Sequence, residues 1–292
     1  MSHPQKYFWA VVLSAIVLGF AWPAPGLFLK PSLQYLLMAM MFFTLLKIDL
    51  RTFKKSLSIW WRYFILLFLI FIVPVAIVFL FRSLLEQEVF IGLIIVAAAP
   101  SAVSAAFLSD LLGGEPAKAL VASTLSHLVS PIATPFLVYL FAGHEISINF
   151  WEMQLLILKL VFIPLFLAQA VKYFNWDKFF TNKSSSINTW LLFILIWGAM
   201  APAGGIFFTN FRQVFLLFLI VLIIMAAEIF LSARFGRTAK EDVTWEVVDT
   251  YKNFILSSVI AITMFGPTAV LGSVVYAIAN NFVIIYLQFR KK

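Results

Sequence analysis

The stretch that decides the fold is GLIIVAAAPSAVSAAFLSDLLGG, residues 92–114. It is apolar enough to enter a bilayer, yet Pro100 lies near its middle among small residues, and Asp110, Gly113 and Gly114 close it. A proline inside a helix removes an N–H donor and clashes with the preceding turn. In lipid the freed backbone groups must find partners in protein or water, so a break at this depth lines something other than lipid. A second such stretch is VVDTYKNFILSSVIAITMFG, residues 247–266, with Asp249, Thr250, Tyr251, Lys252 and Asn253 where lipid-facing residues are expected. Ser104 and Tyr251, the centres of the two, are 147 residues apart, and half of the 292-residue chain is 146. Interrupted helices at matching positions of two halves point to a transporter's substrate site. Chance placement of Pro and Gly, which membrane helices tolerate, is the competing reading.

Outward from these stretches the whole chain is apolar. Hydrophobic residues make up 63% and charged residues 12%, against roughly a quarter charged in soluble domains. Runs long enough to span fall at roughly 7–22, 32–48, 60–81, 89–109, 116–142, 151–171, 188–207, 212–233, 247–265 and 268–289. A span takes about 20 residues, so ten leave no room for a soluble domain. Only helices fit, because lipid cannot satisfy an open backbone and the alternation of a membrane barrel is missing. The predicted fold is an all-α integral membrane protein of ten transmembrane helices in two five-helix repeats. Five is odd, so the second repeat inserts inverted. The first run, trailed by FAWPAPG, also invites a signal-peptide reading, but no small-x-small cleavage site stands there.

The net charge of +8 follows the same topology. Basic residues gather on the cytoplasmic side of a membrane protein. With the N-terminus inside, the inner segments hold Lys6, Lys47, Arg51, Lys54, Lys55, Arg62, Lys118, Lys172, Lys178, Lys183, Arg234, Arg237, Lys240, Arg290, Lys291 and Lys292, and the outer ones only Lys30, Arg82 and Arg212. Both termini are therefore expected in the cytoplasm, with the protein multi-pass in the plasma membrane. The basic balance needs no nucleic-acid partner. The chain has no cysteine, hence no disulfide, thiolate metal site or cysteine nucleophile. Its three histidines lack metal-ligand spacing, and no paired acid–base set or glycine-rich phosphate loop occurs. No enzyme and no cofactor are expected.

Ionisable residues inside spans are costly and are functional candidates by default. Lys252 is the sharpest, able to hold the ninth-span break through helix carbonyls or through Asp249 on the same face; a lysine snorkelling from the inner end near Val247 is the alternative. His127 is able to carry a proton at physiological pH, or simply to pack. Lys159 either faces the cleft and attracts an anion or snorkels. Glu228 reads as a partner of Arg234 or a neighbouring lysine. Asn280, Asn281, Gln169 and the bend from Pro202 to Gly205 are polar or flexible positions that join helices. Substrate is expected near Ser104, Ser123, Tyr251, Lys252 and Asn253, with Thr250 beside them, because half-helix N-termini favour anions.

These residues resemble the bile acid:sodium symporter family. The likeness is carried by LMAMMFFTLLKIDLRTFKK (37–55), by APSAVSAAFLSDLLGGEPAKALVASTLSHLVSPIATP (99–135) and by EDVTWEVVDTYKNFILSSVIAITMFGPTAVLGSVVYAIANN (241–281). It covers essentially the whole chain. The resemblance implies one membrane transporter domain over 1–292, with a panel from 1–50 and 150–207 and a core from 59–143 and 211–289. It also implies that broken helices 4 and 9 cross, that substrate binds between panel and core, and that their relative motion drives transport. The departures bear on coupling. Family sodium positions fall on Ala105, Ala106, Ala119, Ser123, Val248 and Lys252, so one hydroxyl survives and a cation is gained. Sodium coupling is therefore not expected, and a proton carried by Lys252 with Asp249 or His127 is the replacement.

The favoured function is a secondary transporter moving a small organic anion, bile-acid-like or a carboxylate. A metalloid efflux permease and a non-transporting receptor or scaffold are the alternatives; such permeases rely on a fourth-span cysteine, which this chain lacks. The sequence leaves the oligomeric state open.

Overall fold

The computed structural model describes residues 8–46, 60–143 and 148–290. The basic residues at positions 6, 47, 51, 54, 55, 291 and 292 lie outside them, and the side chains of Lys178, Lys183 and Arg290 are likewise not described. Every named element among the described residues is helical. The first part comprises α1 (Phe8–Ala21), α2 (Pro23–Phe28), α3 (Leu33–Leu45), α4 (Trp60–Leu80), α5 (Gln87–Ala97), α6 (Ala105–Leu111) and α7 (Pro116–Ala142). The second comprises α8 (Phe150–Tyr173), α9 (Asp177–Met200), α10 (Gly204–Thr209), α11 (Phe211–Ser232), α12 (Ala239–Thr250), α13 (Phe254–Met264) and α14 (Val270–Arg290).

Among the described residues five helical segments are long and apolar enough to cross a membrane: Trp60–Leu80, Pro116–Ala142, Phe150–Tyr173, Ser186–Thr209 and Phe211–Ser232. Shorter apolar helices, Ala10–Ala21, Gln87–Ala97, Phe254–Met264 and Val270–Val283, accompany them. The outward faces are apolar too, with Trp60, Phe64, Phe166 and Phe215 more than half exposed. Large exposed apolar surface of that kind suits lipid and not water.

The expected breaks are real, and the helix that carries the second starts earlier than its run suggested. The fourth run is two helices, α5 and α6, separated at Ala98–Ser104 around Pro100. The ninth run does not begin at Val247. Its helix starts at Ala239, where the Thr238 side chain accepts from the Glu241 N–H and caps it. It breaks at Tyr251–Asn253, midway between α12 and α13. Lys252 is thus at the centre of a broken helix and wholly buried, which removes the snorkelling reading.

The polar start of α12 is stable inside the protein because its charges are paired. Glu241 meets Arg62 of α4 at 3.0 Å, is bonded to Lys118 of α7, and accepts the Arg237 N–H at 2.8 Å. Burial pushes the Glu241 carboxyl up, but these donors outweigh it and hold the group down at about 2.

The helices pack mostly within two groups, which a broad contact of α7 with α8 joins. α3 lies against α8 and α9, and α9 also carries α1. In the other group α4 packs on α5, α7 and α11, while α14 packs on α5, α11 and α13. The α5–α14 contact is close: a Cβ on Gly92 would run into the Ala269 carbonyl oxygen, and one on Gly272 would meet the Gly92 backbone at 2.6 Å. The same 151 residues separate Trp60 from Phe211, where α4 and α11 begin, and Ser101 from Lys252, which pair with each other.

Candidate functional site

The site is built on that pairing. Ser101 and Lys252 form an antiparallel bridge between the two breaks. The Ala102 N–H donates to the Tyr251 carbonyl, and the Asn253 N–H donates to the Pro100 carbonyl at 2.8 Å. Neighbouring backbone groups are also met: the Ser101 N–H by Ser126 Oγ at 3.1 Å and the Ala98 carbonyl by Thr134 Oγ1 at 2.6 Å. Two helices interrupted at this depth exist because each supplies the other's missing partners.

Asn253 caps α13. Its Oδ1 accepts from the Leu256 N–H at 3.0 Å, and its amide meets His127 Nε2 at 3.1 Å. His127 Nδ1 lies 2.7 Å from the Ser123 carbonyl. A carbonyl only accepts, so Nδ1 carries the hydrogen and Nε2 accepts from the Asn253 amide. Both ring nitrogens are engaged, and the histidine is a strut between α7 and the crossing.

Lys252 turns its side chain into the helix core. Its Nζ lies 3.0 Å from Glu228 Oε1 of α11, both groups being fully buried, and it also donates to the Ile70 carbonyl of α4. That carbonyl has no helical partner, because the residue four positions on is Pro74, which lacks an N–H. Tyr276 of α14 donates to Glu228 Oε2 at 3.3 Å. One ammonium therefore joins α4, α11 and the crossing. Asp249, the partner read from the helix face, is not the residue that pairs. It is fully buried with neither carboxylate oxygen hydrogen-bonded, within electrostatic reach of Glu228 and Lys252. Arg234, the other expected partner of Glu228, donates instead to the Phe230 carbonyl.

On the other side of the crossing is a cavity of about 440 Å³. Its walls on the second group are Ser104, Phe107, Asp110, Tyr251, Asn253 and Ile255. Facing them on the first group are Met40, Thr44, Asn188, Thr189, Leu192 and Ile196. The Asn188 amide donates to Thr44 Oγ1 at 3.1 Å.

Of the residues expected at the site, Ser104, Tyr251, Lys252 and Asn253 border this cavity, and the Lys252 ammonium points away from it. Ser123, His127, Asp249 and Thr250 do not line it. Ser123 Oγ bonds the Leu120 carbonyl and Thr250 Oγ1 the Glu246 carbonyl, each within its own helix. Lys159 is exposed on α8 and lines no part of it. The sodium positions carried over by resemblance are filled by apolar groups at Ala105, Ala119 and Val248, all fully buried. The wall residues Thr44, Asn188, Thr189 and Asp110 were not expected there. Asn188 and Thr189 belong to SSSINTW, residues 184–190, a polar stretch inside α9 whose only signal was polarity where a span begins.

A profile of the SBF-like CPA transporter family matches residues 6–283. The chain is also similar to an uncharacterized sodium-dependent transporter of Bacillus subtilis (strain 168), YocS, at 26% identity over 168 residues. That match takes in 57% of this chain and 52% of YocS, so the chain spans about half the length of the curated relative it matches.

Proposed function

We propose, from the premise that the chain belongs to the SBF-like CPA transporter family, that it is a secondary transporter of a small amphipathic organic anion working by alternating access. The observation that carries the reading is the cavity on the crossing of two broken helices, walled by one helix group on each side. The shared 151-residue offset supports ten spans in two inverted repeats, with α1, α3, α8 and α9 as panel and α4–α7 and α11–α14 as core. Thr44, Pro116 and Asn188 lie at span ends that the basic residues assign to the cytoplasm, so the cavity opens inward in the plasma membrane. Outward of it, α13 packs on α3, α8 and α9, and the Gln34 amide donates to Thr263 Oγ1 at 3.3 Å.

The apolar body of the substrate lies against Met40, Leu192 and Ile196, and its charged end at Ser104, Asn188 and the first turn of α13. Neither Lys252 nor Lys159 supplies the counter-charge. Coupling is to protons and not to sodium. The Lys252 ammonium already occupies the core behind the crossing. Glu228 at 3.0 Å already balances its charge, so the case against sodium rests on the missing oxygen ligands, the family positions at Ala105, Ala119 and Val248 being filled by buried apolar groups. The proton carrier is Asp249, the buried carboxylate without a hydrogen-bond partner; His127, fully engaged, is not.

The test is uptake of radiolabelled cholate into proteoliposomes in sodium and in choline media from pH 5 to 8, for wild type and Asp249→Asn. Equal uptake in the two media, with a pH dependence that Asp249→Asn abolishes, is expected. A strong sodium requirement would overturn the coupling, and no uptake under any condition would overturn the substrate class.

A further inference from the structure

A second concavity, sharing no wall residue with the first, lies on the outer side of α11 and α14. It measures about 780 Å³ and is walled by Leu222, Ala226, Phe230, Phe282 and Tyr286, with Arg234 at one end. Phe230, Phe282 and Tyr286 are each more than half exposed, so the groove opens where helices of this composition meet lipid. From Leu222 to Ser232, where α11 ends, is about 15 Å at 1.5 Å per residue, and Arg234 lies in the turn just beyond. That is the reach of an extended lipid acyl chain.

What distinguishes this groove from an ordinary furrow between helices is its end. The Arg234 guanidinium sits 3.5 Å above the centroid of the Phe230 ring and donates to the Phe230 carbonyl at 2.8 Å. It is held at the mouth of the groove in one orientation and keeps most of its five donors. Arg237 and Lys240 follow within six residues and are exposed. The nearest acids in sequence are taken up elsewhere, Glu228 by Lys252 and Glu241 by Arg62 and Lys118. A planar guanidinium at the bilayer boundary, next to two further cations and above an apolar channel, matches a phosphodiester with acyl chains below it.

We propose that the groove between α11 and α14 binds one anionic phospholipid, with an acyl chain along Leu222–Phe230 and Phe282, and its phosphate on Arg234. The site is independent of the transport cavity. α11 also carries Glu228, so the bound lipid lies against the helix that holds the Lys252 ammonium.

The test is native mass spectrometry of the purified protein titrated with phosphatidylglycerol and, separately, phosphatidylcholine of the same chains. The wild type is expected to retain one phosphatidylglycerol at concentrations where phosphatidylcholine is lost. Arg234→Gln, removing a charge-assisted contact, should weaken retention about tenfold or more. Ala226→Trp, at an exposed position within the groove, should weaken it with the arginine intact. Arg212→Gln, an exposed arginine at the opposite end of α11, should leave it unchanged. Equal retention of the two lipids, or no effect of Arg234→Gln and Ala226→Trp in monodisperse protein, overturns the proposal. A dimer that Ala226→Trp dissociates assigns the face to a second copy of the chain and overturns it too.

Discussion

Replacing Lys252 with Met removes the ammonium but keeps most of the side chain's volume. Two groups then lose their partner at once. Glu228 is left beside Tyr276 with no countercharge, and the Ile70 carbonyl, denied a helical donor by Pro74, is left bare. Both lie where no solvent reaches. Breaking a buried ion pair from one side costs about 3–5 kcal/mol, and an orphaned buried carbonyl about 1–3. At roughly 2–4 °C per kcal/mol for chains approaching this size, Lys252→Met should unfold at a temperature on the order of 10 °C below wild type. The double variant Lys252→Met with Glu228→Gln removes the stranded charge, keeps the Tyr276 contact and leaves only the carbonyl unmet. It should recover more than half of the loss. Intrinsic tryptophan fluorescence during a thermal ramp in detergent reads both, since the chain has nine Trp. If the double variant is no more stable than Lys252→Met alone, the lysine and the glutamate are not coupled and the account of the core is wrong.

Three further outcomes follow from the packing. The Glu241 carboxyl is held down at about 2 in the folded protein, against 4.5 ordinarily, so its contribution to stability is full above 4.5 and is lost as pH falls from there toward 2; Glu241→Gln should be less stable than wild type at pH 7 and lose less on acidification, read by thermal unfolding at pH 7 and pH 4. Asn253→Ala removes the cap of α13 and the donor to His127, a loss of about 1–2 kcal/mol that the same ramp would detect. Gly272→Ala drives a methyl into the Gly92 backbone and should cost about 1–3 kcal/mol, whereas Ala at Gly205, which faces open space, should be tolerated.

Much of this architecture was legible in the sequence because lipid imposes few solutions. The fifth run, 116–142, coincides with α7, and the third and eighth match α4 and α11 within a residue. Pro100 announced its break by its own chemistry. The second break contains neither Pro nor Gly and was legible only through its polar residues. The start of its helix was misread because EDVTWE, residues 241–246, looks like a loop until Arg62 and Lys118 are brought to Glu241 from other helices. The partner of Lys252 was missed for the same reason. Asp249 is three residues away on the same helix, while Glu228 and Ile70 reach the ammonium only through the packing of α11 and α4. Half of the cavity wall was illegible because it belongs to the facing helices α3 and α9, whose polar residues gain meaning only opposite the crossing.

The central claim is that the cavity at the crossing opens to one side of the membrane and then to the other. Because the chain contains no cysteine, a single thiol at Ala106, on the cavity wall, reports access without background. Ala106→Cys should react rapidly with a membrane-impermeant maleimide in inside-out vesicles. In right-side-out vesicles it should react more slowly but measurably, and cholate should slow both reactions. Labelling from one side only, or from neither, would contradict alternating access through this cavity.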